Sequence, residues 1–509
     1  MTTTNLGMPT RVRLTPAPPE GALIDSPPFP QAAIRELGKD TQRANLRHAT
    51  HTIRTKRQRV VAELDHWQDL RSAGEAVKNR VARHLDTWLV QLEENLTRAG
   101  STVHWARDAE EANRIIIDLI RATGSDEVVK VKSMATQEID LNEALEEAGI
   151  AAWETDLAEL IVQLGHDRPS HILVPAIHRN RTEVRDIFLE EMGRYGTPPP
   201  EGLDDDPGRL ANAARAHLRD KFLRAKVAVS GANFAVAETG SLVVVESEGN
   251  GRMCLTLPQT LISVVGIEKV VPTFADLEVF LQLLPRSSTA ERMNPYTTIW
   301  TGPTPGDGPQ DVHVVLVDNG RTRALADPSG RAALRCIRCS ACLNICPVFE
   351  KVGGHAYGSG YPGPIGAILN PQLRGVESAV DRSLPFASTL CGACDDVCPV
   401  KIPISDILVQ QRHRIVEAKK AEAGRKPHLE PVLMKGGGWL MGDARRLALM
   451  QRAANVFGLV GGRTIGRIGN WPVPGLSRWL RARNVPMPPT ASFRAQFDKT
   501  TDKTRGGQR

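Results

Sequence analysis

Seven of the eight cysteines in this 509-residue chain lie in two short runs. The first run contains Cys336, Cys339, Cys342 and Cys346, followed by Pro347, and the second contains Cys391, Cys394 and Cys398, followed by Pro399. Thiolates at this spacing hold iron–sulfur clusters, whose main chemistry is the transfer of single electrons. Clustered cysteines in a chain of this length indicate metal ligation in a reducing compartment instead of disulfide formation.

The spacing also predicts how the two runs share their ligands. In paired runs of this kind, the first three cysteines bind one cluster and the fourth binds the other. One cluster site is therefore expected from Cys336, Cys339, Cys342 and Cys398, and a second site from Cys346, Cys391 and Cys394.

The second site is one thiol short. Aligning the two runs places Ser388 where the missing cysteine would stand. The second cluster is either [4Fe–4S], with Ser388, water or a partner's residue on the fourth iron, or [3Fe–4S]. Serine is a harder and rarer ligand for iron than thiolate, so Ser388 is not counted among the site residues.

A zinc site is the competing interpretation. Cys336, Cys339, Cys391 and Cys394 could form a closed tetrahedral set, but this set leaves the other three clustered cysteines and both Cys-Pro pairs unexplained. A purely structural role for iron–sulfur clusters is a further alternative. The eighth cysteine, Cys254, stands alone in an apolar, strand-like run and is expected to be a small buried hydrophobe.

Composition excludes several classes of protein. The net charge of +6 is small for this length, and no basic recognition-helix motif occurs, so nucleic-acid binding is not expected. We find no secretory signal and no apolar stretch long enough for a transmembrane helix. The cytoplasm is the expected location.

Hydrophobic periodicity predicts four segments. Residues 1–59 are expected to be partly disordered and then helical, and residues 60–320 to form an α/β domain. Residues 324–421 form the domain with two iron–sulfur clusters, and residues 422–509 form a basic extension. In the α/β segment, strands such as Val128–Met134, Ala151–Glu154 and His171–Ala176 alternate with helices, which indicates a mostly parallel sheet covered on both faces.

Two places in the α/β segment are candidate binding sites, although neither a dinucleotide fingerprint nor a Walker loop occurs. Lys132 and Ser133 lie at the end of a predicted strand, shortly before a helix, where an anion such as a carboxylate could bind. Glu238 ends another strand. Ordinary capped turns explain Lys132 and Glu238 equally well. For Glu154, Asp156, His166 and His178, a structural role is favoured over a functional one.

The cysteine segment resembles a known module. Forty-four residues separate Cys346 from Cys391, and intervening and flanking stretches such as Pro403–Arg414 have helical periodicity. This arrangement is similar to the α-helical ferredoxin module of succinate dehydrogenase and fumarate reductase iron–sulfur subunits.

The whole of residues 60–420 resembles the lactate utilization protein B family. The resemblance is carried by Lys132-Ser-Met, Glu154-Thr-Asp-Leu-Ala-Glu159, Ala237-Glu-Thr-Gly-Ser241 and the two cysteine runs. It implies a three-layer α/β fold akin to glucosamine-6-phosphate deaminase, ribose-5-phosphate isomerase and CoA-transferase domains, followed by the α-helical ferredoxin-like domain. It also implies a three-protein system that oxidises L-lactate to pyruvate. The partners would be a cysteine-rich iron–sulfur protein and a small lactate utilization domain protein.

The leading functional hypothesis is therefore an iron–sulfur electron-transfer subunit of a cytoplasmic complex that oxidises L-lactate. It would relay single electrons through two clusters. The alternative is an α/β enzyme of transferase or isomerase type, in which Lys132 and Glu238 transfer protons and the clusters are structural or regulatory.

Overall fold

The protein is described from a computed structural model, which covers residues 26–423, 429–460, 491–494 and 496–497. The chain divides into two compact units, residues 1–416 and 417–509. The first 25 residues, where disorder is expected, and much of the C-terminal extension lie outside the described residues.

From residue 26, where the described part of the chain begins, four helices precede the sheet. They are α1 (Phe29–Leu37), α2 (Asp40–Ala62), α3 (Trp67–Arg83) and α4 (Leu85–Arg98). Helix α4 buries leucines at positions 85, 89, 92 and 96, a spacing of four, three and four that aligns them on one face.

The residues that the structure describes include ten strands, which form two sheets. The strands are β1 (Thr102–Ala106), β2 (Glu127–Lys130), β3 (Ala151–Glu154), β4 (Val227–Gly231), β5 (Phe234–Val236), β6 (Ser241–Glu246), β7 (Thr260–Gly266), β8 (Val270–Val271), β9 (Tyr296–Trp300) and β10 (Asp311–Val317). A six-stranded sheet has the order β1-β10-β7-β4-β2-β3, and every neighbouring pair in it is parallel. A smaller mixed sheet has the order β8-β5-β6-β9.

Helices cover both faces of the parallel sheet. The helices of this region are α5 (Ala109–Ala122), α6 (Met134–Glu138), α7 (Leu141–Glu147), α8 (Leu157–Leu164), α9 (Arg181–Glu191), α10 (Pro207–Arg224), α11 (Asn250–Thr256), α12 (Phe274–Ser287) and α13 (Arg321–Ala326). Of these, α12 packs on the smaller sheet, and α13 packs on the segment that follows it. Alternate residues of β10 point to opposite faces: Val315 joins the core under α5, whereas Val314 and Leu316 join the core under α4. The predicted α/β class with a covered parallel sheet is confirmed.

The structure corrects three local predictions. The predicted strand Val128–Met134 ends at Lys130, and Cys254 lies in helix α11 instead of a strand-like run. The predicted strand His171–Ala176 is a series of turns. The ring of His171 explains this conformation, because its Nδ1 accepts the backbone N–H groups of Leu173 and Val174 at 3.1 and 3.0 Å.

The segment that carries the cysteines is helical, as predicted. Its helices are α14 (Ala341–Ile345), α15 (Pro347–Val352), α16 (Gly363–Arg374), α17 (Ala379–Ser383), α18 (Ala393–Val397) and α19 (Ile404–Ala423). Helix α19 buries Ile404, Ile407, Leu408 and Gln411. The Gln411 amide donates to the carbonyl of Ile368 in α16 at 2.6 Å, which ties these helices together.

The second unit contains α20 (Leu429–Met441) and α21 (Ala444–Val460). The guanidinium of Arg446 lies 4.3 Å from the ring centre of Trp439 and connects the two helices. Among the described residues, no helix is both long and apolar enough to cross a membrane.

Candidate metal centre

Four of the predicted cysteine ligands surround one small buried cavity. Cys336 and Cys339 come from the loop before α14, Cys342 from α14, and Cys398 from the end of α18. Apolar side chains such as Ile365 complete the wall. The structure thus brings together the four cysteines that crossed ligation assigns to one cluster, and their ligation of iron remains a prediction.

The backbone of the first run is shaped to direct its thiols inward. Arg338 and Ser340 both adopt left-handed conformations, with φ of 63° and 64°. Such angles cost roughly 1–3 kcal/mol for residues other than glycine and persist where the surrounding structure imposes them. The Arg338 N–H also donates to the Cys336 sulfur at 3.4 Å.

The other three clustered cysteines form a second group. Cys346 lies at the N-terminus of α15, where its sulfur accepts the N–H of Phe349 at 3.5 Å. Burial, the neighbouring Asp395 and the negative charges of Cys346 and Cys391 raise the pKa of Cys394 to about 12. Cys394 also raises the pKa of Cys342, after burial and the other thiols of the first group. The two groups are therefore neighbours.

Solvent exposure differs within the second group. Cys346 and Cys394 are buried, whereas Cys391 is exposed. Ser388, at the position of the missing thiol, is half-buried, and its hydroxyl accepts the N–H of Leu390 at 3.1 Å. The second group therefore reaches the protein surface on the side of Cys391.

The chemistry of both groups fits iron–sulfur ligation. Burial raises the pKa of Cys339 to about 12 and that of Cys398 to about 11, so clustered thiolates here need a cation to offset their charge. Backbone N–H groups point at the sulfurs, as Ile402 does at Cys398 over 3.3 Å. Such N–H···S bonds are among the interactions that set cluster potentials.

The zinc set proposed as an alternative is not assembled. Cys336 and Cys339 share their cavity with Cys342 and Cys398. Cys391 instead belongs with Cys346 and Cys394, whose pKa values it raises after burial.

Two arginines of the N-terminal helices bind the backbone of the second cysteine run, and neither was predicted from the sequence. Arg71 of α3 is buried and donates to the carbonyl oxygens of Cys398 at 2.9 Å and Asp395 at 3.2 Å. Arg57 of α2 donates to the carbonyl of Val397 at 2.8 Å. The two residues in each of these contacts are more than 300 positions apart in the chain. Local sequence periodicity therefore cannot predict them.

A buried network of charges connects the first cysteine loop to the parallel sheet. The Glu268 carboxylate, just beyond β7, accepts from Arg338 at 3.1 Å and from Arg321. Arg321 also donates to both oxygens of Glu138 at 2.7 and 2.9 Å, and the Tyr361 hydroxyl donates to Glu138 at 2.6 Å. Because Arg338 lies between Cys336 and Cys339, the sequence could have suggested it as a residue near the cluster.

A larger cavity adjoins this network at the carboxyl edge of the sheet. It has a volume of about 290 Å³, and its wall includes Lys132, Ser133, Lys269 and Arg338. Lys132 thus lies where the sequence placed a possible anion site. Helix α6 has only five residues, so side chains, and not the helix terminus, would have to hold the anion.

Glu238 is not part of this cavity. It is exposed, and its carboxylate accepts the N–H of Phe274 at 2.9 Å at the start of α12. The alternative hypothesis, in which Lys132 and Glu238 act together in proton transfer, gains no support from these positions.

The remaining candidate residues have structural partners. Glu154 pairs with Lys130 at 2.8 Å in the sheet, and Asp156 caps α8. The Nε2 of His178 donates to the Asp167 carboxylate, and its Nδ1 bonds to the Ser170 hydroxyl, each at 2.7 Å. Cys254 is fully buried, as expected, and burial raises its pKa to about 12.

Asp167, His178 and His355 form the one cluster of possible metal ligands identified outside the cysteines in the described part of the chain. Arg179 donates to the Asp167 carboxylate at 2.6 Å, and its positive charge already balances that carboxylate. The cluster is therefore a hydrogen-bonded brace between the α/β region and the cysteine segment.

Comparison with family models gives two matches. Residues 89–317 match a model described as LUD domain, and residues 332–402 match a model described as 4Fe-4S dicluster domain. The second match covers both cysteine runs and supports iron–sulfur clusters over zinc.

Several curated proteins are similar over nearly the whole chain. Lactate utilization protein B 1 of Bacillus mycoides (strain KBAB4) is 40% identical over 490 residues, covering 96% of this chain and 99% of that protein. Lactate utilization protein B of Bacillus subtilis (strain 168) is 40% identical over 95% of this chain and 99% of that protein. An uncharacterized electron transport protein of Escherichia coli (strain K12) is 42% identical over 92% of this chain and 95% of that protein.

Proposed function

This chain belongs to the lactate utilization protein B family, and we propose that it is the iron–sulfur electron-transfer subunit of a cytoplasmic complex that oxidises L-lactate to pyruvate. Its proposed partners are a cysteine-rich iron–sulfur protein and a small protein with a lactate utilization domain. The names of the relatives and the dicluster match support a role in lactate utilization with electron transfer.

One observation carries the proposal. The seven clustered cysteines form two neighbouring groups inside one compact unit, because α14, which carries Cys342, packs against α18, which carries Cys394. Oxidation of lactate releases two electrons, and two adjacent one-electron clusters bound there would supply places for both.

The residues around the two groups suit different positions in such a relay. The first group adjoins Arg338, whose buried charge is paired with Glu268, and Glu268 is paired in turn with Arg321. All four thiols of this group are buried or half-buried. The second group reaches the surface through Cys391. We therefore propose that electrons pass between this chain and a partner protein on the side of Cys391.

The experiment is reduction of the holoprotein by substrate under anaerobic conditions. The purified chain, loaded with iron and sulfide, is mixed with L-lactate and the two partner proteins, and the clusters are followed by electron paramagnetic resonance. The expected result is the appearance of reduced-cluster signals that depend on lactate. Clusters that dithionite reduces but lactate and the partners do not reduce would contradict the proposal.

Variants of single residues test which groups the reduction depends on. Cys394→Ser should abolish reduction of the second cluster, whereas Cys254→Ser, a change of an equally buried cysteine outside both groups, should leave reduction intact. Glu238→Gln tests the alternative enzyme. If this variant lost lactate turnover while both clusters stayed reducible, proton transfer in the α/β domain would replace electron relay as the chain's main role.

A further inference from the structure

The cavity at the carboxyl edge of the parallel sheet is placed where open α/β sheets bind ligands. Lys132 and Ser133 follow β2, and Gly231 and Gly266 are the last residues of β4 and β7. Its volume of about 290 Å³ is close to the lower end of the roughly 300–1,000 Å³ typical of small-molecule sites. A ligand here would have to be small.

The acidic side chains of this cavity are already engaged. Asp156 accepts the N–H groups of Ala158 and Glu159 at 2.9 and 3.1 Å. Glu246 accepts the N–H groups of Gly249 and Arg252, and Glu248 accepts the N–H of Leu157 at 3.0 Å. These carboxylates have local structural partners and do not need a ligand.

One cationic side chain of the cavity, unlike these carboxylates, has no local hydrogen-bond partner among the described residues. The ammonium of Lys269 lines the cavity and makes no hydrogen bond or close ion pair with any residue that the structure describes. Burial and the neighbouring Arg338 lower the pKa of Lys269 to about 7, although the charges of Glu268 and Cys336 oppose this shift, as expected for a cation that has lost water without gaining a hydrogen-bonded partner. An anion in the cavity would supply that partner.

Three further polar atoms of the cavity wall are also unpaired. Arg338 is buried, and its Nε has no hydrogen-bond partner among the described residues. The same holds for the Thr289 hydroxyl and for Oδ1 of Asn294, both of which line the cavity. Buried polar atoms in native proteins normally have partners, and all three of these atoms belong to side chains that form the cavity wall together with Lys269.

The cavity also adjoins the first cysteine group. Arg338 and Ile172 line both this cavity and the cavity formed by Cys336, Cys339, Cys342 and Cys398. A ligand held by Arg338 and Lys269 would therefore be separated from that group only by the side chains of the shared wall.

We propose that this cavity binds a small hydroxy- or oxo-monocarboxylate within this chain, with its carboxylate on Lys269 and Arg338 and its hydroxyl or oxo group toward Thr289 and Asn294. The choice of this ligand class, the substrate and product of lactate oxidation, rests on the proposed function.

The other charges of the cavity favour a single carboxylate. Asp156 and Glu246 line the same space, and they would repel a second negative charge. Dicarboxylates and phosphate are therefore expected to bind poorly, while a monocarboxylate with a neutral polar group matches the donors and acceptors.

The test is isothermal titration calorimetry of the full-length holoprotein under anaerobic conditions, without partner proteins. L-Lactate and pyruvate are expected to bind with one site per chain, and phosphate at the same concentration should not displace them. Lys269→Met should weaken binding about tenfold or more, because a charge-assisted contact is lost, and Lys269→Arg should restore part of it. The control is Lys226→Met, which changes an exposed lysine of the same domain and should leave binding unchanged.

Three results would overturn the proposal: no binding to the wild-type holoprotein, equal binding by a Lys269→Met variant with full iron content, or displacement of lactate by phosphate. If Lys269→Met failed to retain iron, Asn294→Ala would decide, since unchanged lactate binding by that variant would also overturn it. Failure of the two proposals can be told apart. Clusters reduced by lactate plus partners without binding to the isolated chain would refute only the cavity assignment, whereas binding without cluster reduction would refute only the electron-transfer role.

Discussion

At the scale of single residues, Glu268 is where the buried charges between the sheet and the cysteine loop meet. Its carboxylate accepts from Arg321 and Arg338, and its backbone carbonyl accepts from Lys78. Burial alone would raise the pKa of Glu268, but the positive charges of Arg321 and Arg338 hold it well below its usual range. The carboxylate is therefore ionised, and it balances two buried guanidinium groups.

We predict that Glu268→Gln destabilises the protein by about 3–5 kcal/mol, because it leaves buried cations without their counterion. Urea unfolding under anaerobic conditions measures the effect. Glu278→Gln, on the exposed face of α12, is the matched control and should change the free energy of unfolding by less than about 0.5 kcal/mol. Equal stability of the two variants would show that the network does not stabilise the fold.

His171 makes the stability of the protein depend on pH. Its Nδ1 accepts two backbone N–H groups and its Nε2 lies 3.2 Å from Oδ1 of Asn344, so the folded chain requires the neutral ring. Burial and the positive charge of Lys132 lower the pKa of His171 to about 3. The unfolded chain binds this proton below about pH 6.5. The contribution of His171 to the free energy of unfolding is therefore fully present above about pH 6.5. As the pH falls from 6.5 toward 3, this contribution is lost by up to about 1.4 kcal/mol per pH unit.

The variant His171→Asn tests this pH dependence. The Asn side-chain oxygen can accept the same N–H groups but does not titrate, so stability should fall less steeply between pH 6.5 and 4 than in the wild type. His48→Asn changes an exposed histidine of α2 and should leave the slope as it is. The measurement is urea unfolding at a series of pH values, and parallel curves for His171→Asn and the wild type would contradict the assignment.

At the scale of elements, the β5–β6 hairpin packs against α4 through a glycine. Gly240 has φ of 67°, and a Cβ there would lie 2.6 Å from the carbonyl carbon of Asn95 and 2.7 Å from the nitrogen of Leu96. The Asn95 amide donates to the carbonyls of Ala237 and Glu238 at 2.7 and 3.0 Å, which holds the hairpin on the helix. Neither partner can move without breaking these bonds.

We predict that Gly240→Ala costs at least about 3 kcal/mol, because backbone strain and a clash with helical backbone add. Gly124→Ala separates the two effects. Gly124 has a similar φ of 70°, but a Cβ there would meet nothing within 4 Å, so only the left-handed backbone is penalised, by about 1–2 kcal/mol. Equal losses in the free energy of unfolding would show that the contact with α4 is not tight.

The element pattern of the α/β region was largely predictable, and its exceptions have local causes. The predicted strand Ala151–Glu154, for example, is present with the expected bounds. The stretch 171–176 has the composition of a strand, but the ring of His171 captures its backbone N–H groups. Such a side chain competes with a neighbouring strand for the backbone N–H groups, and the periodicity of the sequence does not reveal that competition.

The candidate site was predictable only in part. The spacing of the cysteines was sufficient to assign each of them to one of two groups. The roles of Lys269, Arg71 and Glu268 depend on contacts between distant segments, such as Arg71 with Cys398 across 327 positions. Such residues carry no local motif, and a lysine such as Lys269 looks in the sequence like any surface charge.

At the scale of the whole molecule, the two cysteine runs depend on each other. Cys398 of the second run shares its cavity with three cysteines of the first, and Cys346 of the first run lies with Cys391 and Cys394 of the second. Arg57 and Arg71 tie the second run to the N-terminal helices. Neither run is expected to assemble a complete cluster site without the other.

This crossing leads to a prediction about pairs of variants. Cys398→Ser should resemble Cys342→Ser and lose the first cluster, although the two residues lie in different runs. Cys346→Ser should resemble Cys394→Ser and lose the second cluster. By iron and acid-labile sulfide analysis, the wild type should hold about eight irons per chain if the second cluster is [4Fe–4S] and about seven if it is [3Fe–4S]. Loss of the first cluster should remove about four irons. Loss of the second cluster should remove about four or about three, respectively. Electron paramagnetic resonance identifies which cluster remains, and Cys254→Ser should keep all the iron. If Cys346→Ser instead matched Cys342→Ser, each run would bind its own cluster and the crossed assignment would be wrong.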